Sequence, residues 1–335
     1  MKKISLVTGA NGHLGNNLVR ALAAQGETVR AGMRNLAKRH SLEGVKCEIV
    51  QADVLDKASM VRALQGVDTL YQVAAVFKHW AADPHREILL PNIMGTEYTL
   101  EAAALQGVNK VIHVSSITTL DRRQQHMDGT AWNLSPTDGY EASKVEAEKR
   151  ALRIARELDL FMVRVLPAAM IGPQCIGHLT PSMEILQAIM DGRRPVDPSF
   201  HLPLVSVEDV ARAMVAAGTH GQNGGRYILG CEKPVSTTDL FAIARTIDPG
   251  IKKPLRLPGP IIHALAHILS LVGTIKGREP DLSPEMVRLY HRDKHSLNLT
   301  DSIRDLGFAP EAPLAVARRT MEAMTRPTPI TTEAP

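Results

Sequence analysis

Two side chains four positions apart, Tyr140 and Lys144, stand at the start of a stretch with helical spacing that runs to about Leu158. A spacing of four places both on one face of a helix. A free phenol has a pKa of about 10, and a neighbouring ammonium group favours the phenolate and lowers that pKa. The pair therefore predicts a general acid or base at Tyr140, although this spacing alone occurs on many helices.

Hydroxyl groups follow the strand predicted over 110–114, where the chain reads Ser115-Ser116. Ligands of open parallel sheets bind at the carboxyl ends of the strands, so a hydroxyl here can hydrogen-bond a substrate carbonyl beside the tyrosine. Thr118 and Thr119 are nearby alternatives. A serine nucleophile would need a G-x-S-x-G turn and an acid–histidine pair. The residues around Ser116 do not match that pattern, which argues against acyl hydrolysis.

A glycine-rich loop, TGANGHLG over 8–15, follows the first predicted strand and opens the first predicted helix. Glycines let the backbone approach a pyrophosphate closely, and the helix N-terminus presents free N–H groups to the anion. The spacing G-x-x-G-x-x-G differs from the G-x-G-x-x-G of the dinucleotide fingerprint, but the strand–loop–helix context is the required one. We therefore predict a dinucleotide site at Gly9, Asn11, Gly12, His13, Leu14 and Gly15.

The residue after the second predicted strand indicates which dinucleotide is bound. An NAD enzyme tends to place an acid there, on the ribose hydroxyls; this chain has Arg34, with Lys38 and Arg39 close behind. A cation at this position can pair with a 2′-phosphate, so we predict NADP(H) in preference to NAD(H). Further cofactor contacts are expected from Asp53 and Val54 at the adenine, and from Ala74 and Ala75 beside the phosphates.

The elements that position these residues alternate along the first half of the chain. Strands are predicted over 4–7, 28–33, 47–51, 69–75, 110–114 and 161–165, and helices over 14–24, 58–64, 93–104 and 140–158. Such alternation, with few hairpin signals, predicts parallel β/α units. The near-continuous apolar strands fit a sheet covered on both faces. We therefore expect an α/β fold, a Rossmann-type doubly wound parallel sheet, over residues 1–165.

The second half of the chain changes character after about Leu166, where prolines become frequent and the alternation stops. This pattern predicts a smaller, interleaved and discontinuous C-terminal substrate-binding lobe over 166–325. Segments near 204–217 and 226–230 are expected to return to the cofactor sheet. The tail over 326–335, rich in proline and threonine, is expected to be disordered.

Composition narrows the class of protein. The chain has 335 residues with 44% apolar content and a formal charge of +4, which argues against disorder and gives only weak support to nucleic-acid binding. Three cysteines cannot form a disulfide framework and favour a reducing compartment. The N-terminal apolar stretch is too short for a secretory signal. We therefore expect a cytoplasmic protein with no nucleic-acid partner and no integral membrane association.

One apolar stretch, 261–272, has two interpretations: a membrane-surface or partner-binding helix, or a buried helix or lid of the second lobe. The run is short for a membrane span and its flanks carry no dense basic cluster. These observations favour the buried helix or lid. His263 and His267 have metal-ligand spacing, but without a third ligand nearby no metal site is expected.

Taken together, these motifs resemble those of the extended short-chain dehydrogenases/reductases and occur in that family's order. The resemblance rests on the glycine loop, Asp53-Val54, NIMGT over 92–96, HVSS over 113–116, YEASK over 140–144, LPAAMIGP over 166–173 and LVSVEDVA over 204–211. It covers about residues 3–230 and, more weakly, continues to roughly 325. Arg34 and the stretch around Trp132 make the chain most similar to the dihydroflavonol reductase, cinnamoyl-CoA reductase and 3β-hydroxysteroid dehydrogenase group.

The resemblance implies roles for individual residues. Ser116 would polarise a substrate carbonyl, Tyr140 would donate a proton to the developing alkoxide, and Lys144 would hold the nicotinamide ribose. Asn92, at the bend of the helix after strand four, would support Lys144 through water. The nicotinamide end would be lined from Pro167 to Met170, and the substrate pocket would include Trp132 and Met170. His13 stands where the family often has an aromatic or aliphatic residue, so its own contact stays open.

The activity implied is an NADPH-dependent reductase of a fairly apolar ketone or aldehyde, or the reverse alcohol dehydrogenase. A sugar-nucleotide epimerase or dehydratase is the alternative, since Arg193, Arg194 and Arg226 offer contacts for a diphosphate. A third interpretation is a regulatory protein that binds NADP without catalysis, against which the complete set of Ser116, Tyr140 and Lys144 argues. The family often forms a homodimer through the helices that here carry Asn92 and Tyr140.

Overall fold

A seven-stranded sheet is the centre of the molecule in the computed structural model, which describes residues 3–78, 80–175, 179–277, 280, 282–291 and 295–325. Its strands are β1 (Ile4–Thr8), β2 (Thr28–Met33), β3 (Glu48–Gln51), β4 (Thr69–Gln72), β5 (Lys110–Val114), β6 (Met162–Pro167) and β7 (Arg226–Leu229). They lie in the order β7-β6-β5-β4-β1-β2-β3, and every pairing between them is parallel. The predicted Rossmann-type sheet is confirmed.

Helices cover both faces of this sheet. Their bounds are α1 (His13–Ala24), α2 (Lys57–Ala63), α3 (Leu90–Leu105), α4 (Gly139–Glu157), α5 (Pro181–Met190), α6 (Val207–His220), α7 (Thr237–Ile247), α8 (Gly259–Lys276), α9 (Pro284–Tyr290), α10 (Thr300–Leu306) and α11 (Pro313–Thr325). Residues of α1 and α6 share one buried apolar cluster, and residues of α2, α3 and α4 share another. The two clusters occupy opposite faces, as a doubly wound fold requires.

Strand β4 ends at Gln72, three residues before the end that was predicted at Ala75. The backbone N–H groups of Val73 and Ala74 donate to the Thr8 hydroxyl, at 2.9 and 3.0 Å, and not to a neighbouring strand. A side-chain oxygen thus replaces the backbone carbonyl of a neighbouring strand as hydrogen-bond acceptor, and it connects the end of β4 to the start of the glycine loop. Helix α3 begins earlier than predicted, at Leu90, directly after a π-helical turn over His85–Leu89.

The second half of the chain contributes to the sheet and also builds a core of its own. The segment expected near 226–230 forms β7 and pairs with β6. The strand Leu204–Ser206 instead pairs with Ala169–Ile171 outside the main sheet, while α6, which follows it, packs on α1. A separate buried cluster joins α5, α7 and α11 through residues such as Leu186, Leu240 and Val316. The predicted tail, 326–335, lies outside the described residues.

Short strands and 3-10 turns complete the fold. The paired short strands are His201–Leu202 with Val235–Ser236, Val196–Asp197 with Leu255–Arg256, and His126–Met127 with Ser296–Leu297. The 3-10 turns are Leu36–Leu42 and Ile117–Thr119.

Helix α8 contains the apolar stretch 261–272 and extends it to 18 residues, Gly259–Lys276. Only Ile262, Ala266 and Gly273 of this helix are buried, so the interpretation as a buried helix is wrong for most of its length, and the interpretation as a lid stays a prediction. The burial comes from one face, where Leu265 and Leu269 also pack in part against the second core, while Ile261, Ile268, Leu271 and Ile275 are exposed. Among the described residues, this one helix is long and apolar enough to cross a membrane, with mean hydropathy 1.3.

Candidate active site

The glycine loop has the close backbone packing that its composition predicts. Gly9 has a φ of +65°, a left-handed conformation that favours glycine, and a Cβ built on Gly15 would lie 2.2 Å from the Gly9 carbonyl oxygen. Gly12 caps the N-terminus of α1. The loop lies at the carboxyl end of β1, with Ala74 next to Gly9. This cradle leaves the N-terminus of α1 accessible to an anion and fits a dinucleotide pyrophosphate.

Three other predicted cofactor residues lie at neighbouring strand ends on the same side of the sheet. Arg34 is exposed directly after β2 and makes no ion pair with another described residue. Asp53 follows β3, and its carboxylate accepts a hydrogen bond from the Leu55 N–H at 3.0 Å. A Cβ on Gly95 would meet a Val54 methyl group at 3.0 Å, so this glycine allows Val54 to pack closely on α3.

Ser116, Tyr140 and Lys144 come together at the carboxyl end of β5. The Ser116 hydroxyl lies near enough to Tyr140 to favour the phenolate and lower its pKa, although burial outweighs this effect. The Lys144 ammonium donates to the Val114 carbonyl oxygen at 3.3 Å and lies 5.9 Å from the centre of the Tyr140 ring. All three side chains are buried. Helix α4 positions Tyr140 and Lys144 one turn apart, and Asp138 caps that helix by accepting from the Glu141 N–H.

Burial shifts the two ionisable groups of this set in opposite directions. It raises the pKa of Tyr140 well above the usual range of a phenol, against the effect of the Ser116 hydroxyl. It lowers the pKa of Lys144 to about 8, against the attraction of Glu148. The sequence predicted a Tyr140 pKa lowered by Lys144; in the structure the loss of solvation dominates, and the phenol stays protonated at neutral pH.

Asn92 lies in the first turn of α3, close to Lys144 without a direct hydrogen bond to it. Its amide accepts from the Val76 N–H at 2.7 Å and donates to Ser143 Oγ at 2.9 Å. Asn92 and Lys144 both line a cavity of about 10 Å³ beneath the end of β4, roughly the space that one water molecule needs. The geometry therefore fits a water-mediated link between Asn92 and Lys144.

His13 is the first residue of α1 and connects that helix to the second half of the chain. Its Nε2–H donates to the Gly172 carbonyl oxygen at 3.2 Å, and its side chain is buried. Burial lowers the pKa of His13 to about 4, against hydrogen bonds to the carbonyls of Gly172 and Pro173. The histidine is thus neutral at pH 7 and joins the glycine loop to the turn after Ile171.

Pro167 and Met170 lie where the chain leaves the sheet for the second core. Pro167 is the last residue of β6, and Met170 is half-buried in the strand Ala169–Ile171. Trp132 lies elsewhere: its ring stacks on the Arg226 guanidinium at 4.2 Å and lines a surface groove with the second half of α4. Tyr140 is in the first turn of that helix, so the structure does not bring Trp132 to the serine–tyrosine–lysine set.

The structure adds two aromatic residues that the sequence analysis missed. Phe77, in the loop after β4, contacts Tyr140 with ring centres 4.8 Å apart. Tyr290, at the end of α9, is close enough to raise the pKa of Tyr140 electrostatically, secondary to burial. Both come from distant parts of the chain. Phe77 follows a predicted strand end, and that position was the available signal; nothing in the local sequence marks Tyr290.

A buried ionic network beneath the site was also missed. Glu148, fully buried on α4, accepts from Ser115 Oγ at 2.5 Å, from Arg164 at 3.1 Å and from Arg226 at 2.8 Å. Burial alone would raise the pKa of Glu148, but the two guanidinium groups hold it below its usual range. The spacing of Tyr140, Lys144 and Glu148, four residues each, was the sequence signal for this network.

Comparison with known proteins supports the same class of molecule. The model of the NAD dependent epimerase/dehydratase family matches residues 5–230. Sterol demethylase protein B of Methylococcus capsulatus is 34% identical over 232 residues, 67% of this chain and 69% of that protein. Dihydroflavonol 4-reductase of Zea mays is 29% identical over 275 residues, 76% and 77% of the two chains. The crystal structure of gox2253 aligns with a TM-score of 0.80 at 28% identity, covering 96% and 97%.

A doubly wound sheet with a glycine loop at β1 and a serine–tyrosine–lysine set at β5 defines a nicotinamide-dependent α/β enzyme class. The chain belongs to the NAD-dependent epimerase/dehydratase family, within the extended short-chain dehydrogenases/reductases. This family consists of reductases and epimerases that bind a nicotinamide cofactor. The reductases among its members support the assignment of this chain as an oxidoreductase.

Proposed function

We propose that the protein is an NADPH-dependent reductase of a fairly apolar, medium-sized ketone or aldehyde. The observation that carries the proposal is the burial of Ser116, Tyr140 and Lys144 together at the end of β5, beside a glycine loop that fits a dinucleotide. The surroundings of Tyr140 are apolar, since Ala81 and Ile88 form a buried cluster with it. An apolar wall beside a single proton donor suits a carbonyl substrate with few charges.

The roles that we propose for the site residues follow from these positions. Bound NADPH supplies the hydride that carbonyl reduction needs. Ser116 donates a hydrogen bond to the carbonyl oxygen, and Tyr140 transfers its phenolic proton to that oxygen as the alcohol forms. The phenol is protonated at neutral pH, as a general acid must be before it donates its proton. Lys144 holds the cofactor ribose and stabilises the phenolate that Tyr140 becomes.

Tyr140→Phe tests the proposal directly. The variant keeps the ring that packs on Phe77 and removes only the hydroxyl, so we expect turnover to fall by at least about 100-fold, as for loss of a general acid, with NADPH affinity nearly unchanged. Tyr98→Phe on α3 is the matched control and is expected to retain activity. NADPH oxidation is followed by absorbance with a panel of ketones and aldehydes. Unchanged turnover in Tyr140→Phe would remove the general acid.

The same panel includes nucleotide sugars, because a sugar-nucleotide epimerase would convert them without net oxidation of NADPH. The structure weakens that alternative at one residue. Arg226, a candidate diphosphate contact, is buried and bound to Glu148, Thr119 and the ring of Trp132. Turnover confined to nucleotide sugars would overturn the carbonyl reductase.

A further inference from the structure

Helix α8 has an apolar stripe that no other described part of the chain covers. Ile261, Ile268, Leu271 and Ile275 are 50%, 60%, 63% and 76% exposed, and Ala264 between them is also exposed. These residues recur at intervals of three and four, so they form one face over four turns of the helix. A contiguous exposed apolar face of this kind marks an interaction surface in a folded protein.

The other faces of α8 are different in character. Ile262, Ala266 and Gly273 are buried and hold the helix on the body of the protein, against α9. His263, His267, Ser270 and Thr274 form a third, polar stripe without a carboxylate. A helix held along its length in this way lies on the protein surface and does not cross a bilayer.

The segment that carries α8 is rich in cations, although acids stand just outside it in the sequence at Asp248, Glu279 and Asp281. The segment 249–278 contains Lys252, Lys253, Arg256, Lys276 and Arg278, and no aspartate or glutamate. Lys252, Lys253, Arg256 and Lys276 are exposed; Arg256 approaches Asp197 at 3.8 Å and remains 63% exposed. The flanks hold no dense basic cluster, but exposed lysines near both ends of an apolar helical face favour binding to an anionic membrane surface.

We propose that α8 docks the protein onto an anionic membrane, with its apolar stripe in the headgroup region and the flanking lysine and arginine side chains on lipid phosphates. A second copy of the chain fits the same face less well. Two stripes packed together, parallel or antiparallel, would bring like-charged ends of the two segments close to each other. The stripe also lacks the opposite charges that align paired helices at their flanking positions.

Helix α9 connects α8 to the second core of the molecule. Helix α8 packs on α9, where the rings of His263 and His291 meet at 6.2 Å. The last residue of α9, Tyr290, packs on Phe200 with ring centres 5.9 Å apart and adds, after burial, to the raised pKa of Tyr140. Docking itself is independent of catalysis and is tested without substrate.

Sedimentation with lipid vesicles tests the docking. We expect the full chain to sediment with vesicles of equal parts phosphatidylglycerol and phosphatidylcholine, to bind pure phosphatidylcholine vesicles much less, and to be released in part by high salt. The double variant Ile268→Ser/Leu271→Ser should lower the bound fraction about five-fold, because it removes two of the most exposed apolar side chains. Leu105→Ser/Ile303→Ser, at residues 67% and 54% exposed elsewhere, should bind like the wild type.

Two further variants separate membrane docking from the effect of charge and from catalysis. Lys252→Gln/Lys253→Gln preserves the stripe and should weaken binding to anionic vesicles specifically. Tyr140→Phe should bind vesicles normally, so a failed reductase assay leaves the docking result standing. Wild-type protein that stays in the supernatant with anionic vesicles overturns the proposal. So does a wild-type dimer that becomes monomeric in Ile268→Ser/Leu271→Ser, since a second copy would then cover the stripe.

Discussion

At the scale of single residues, burial controls the proton chemistry of the candidate site. The Lys144 ammonium is surrounded by protein and has a pKa lowered to about 8, while the pKa of Tyr140 is raised. At neutral pH the site therefore holds a charged lysine and a protonated tyrosine, the pair of states that carbonyl reduction requires. The first of these states is lost when the pH rises only slightly.

The dependence of kcat/KM on pH measures the loss of the Lys144 charge. Lys144 is charged below its pKa of about 8 and loses the proton above it, so kcat/KM for reduction should be level near pH 7 and fall as pH rises through about 8. Glu148→Gln removes a carboxylate that raises the Lys144 pKa and should move the fall to lower pH. A profile that stays level to pH 10 would contradict the role of the Lys144 charge.

Arg34 carries the prediction of cofactor choice. Its guanidinium is exposed at the end of β2, with no acid paired to it among the described residues. Arg34→Ala should weaken NADPH binding about ten-fold or more, as loss of a charge-assisted contact to phosphate would, and leave NADH binding nearly unchanged. Arg62→Ala, an exposed arginine on α2, is the control. Titrations of both nucleotides measure the effect; equal losses for the two would rule out a 2′-phosphate contact.

Local sequence was sufficient to predict the residues of the site that depend on short spacing. Tyr140 and Lys144 share a helix face, and Gly9, Gly12 and Gly15 share one loop, so each set needs only a few consecutive residues. Phe77 contacts Tyr140 from more than 60 residues before it, and Tyr290, about 150 residues after it, adds, after burial, to the raised pKa of Tyr140. Such contacts depend on how the second core packs on the sheet, which no local pattern contains.

At the scale of elements, α4 joins the chemistry to the sheet. Tyr140 and Lys144 face the site, and Glu148, one turn further, binds Arg164 of β6 and Arg226 of β7. The last two strands of the sheet are thereby tied to the helix that positions the tyrosine. The predicted bounds of α4 hold to within a residue because a capping aspartate precedes it, whereas β4 ends early because Thr8, distant in sequence, takes its hydrogen bonds.

Glu148→Gln tests the strength of this connection. The substitution leaves two buried guanidinium groups without their carboxylate, and removing one partner of a buried ionic pair costs about 3–5 kcal/mol. The free energy of unfolding in urea should fall by that order. Glu146→Gln, two residues earlier and half exposed on the same helix, should change it by less than about 0.5 kcal/mol. Equal stabilities of the two variants would mean that Glu148 is not a structural centre.

At the scale of the whole molecule, two buried histidines make stability depend on pH. Burial lowers the pKa of His13 to about 4, against two backbone hydrogen bonds, and that of His113 to about 3, against the attraction of Glu148. His13 lies where the glycine loop meets the second half of the chain, and His113 lies in the centre of the sheet. Both must take up a proton when the chain unfolds below about pH 6.5.

The sign of the effect follows from linkage. A histidine whose pKa is lowered by folding stabilises the protein fully above its unfolded pKa of about 6.5, and that contribution is lost as pH falls towards the folded value. Between pH 7 and 5 each of the two should therefore cost about 2 kcal/mol of unfolding free energy. Ordinary carboxylates titrate mostly below this window, which leaves histidines as the main cause. Urea unfolding at the two pH values should show a loss of about 4 kcal/mol; His13→Gln should remove about half of it, whereas His220→Gln at an exposed position should leave it unchanged. A His13→Gln protein with the full wild-type loss would show that His13 is not the buried neutral group that links the two halves.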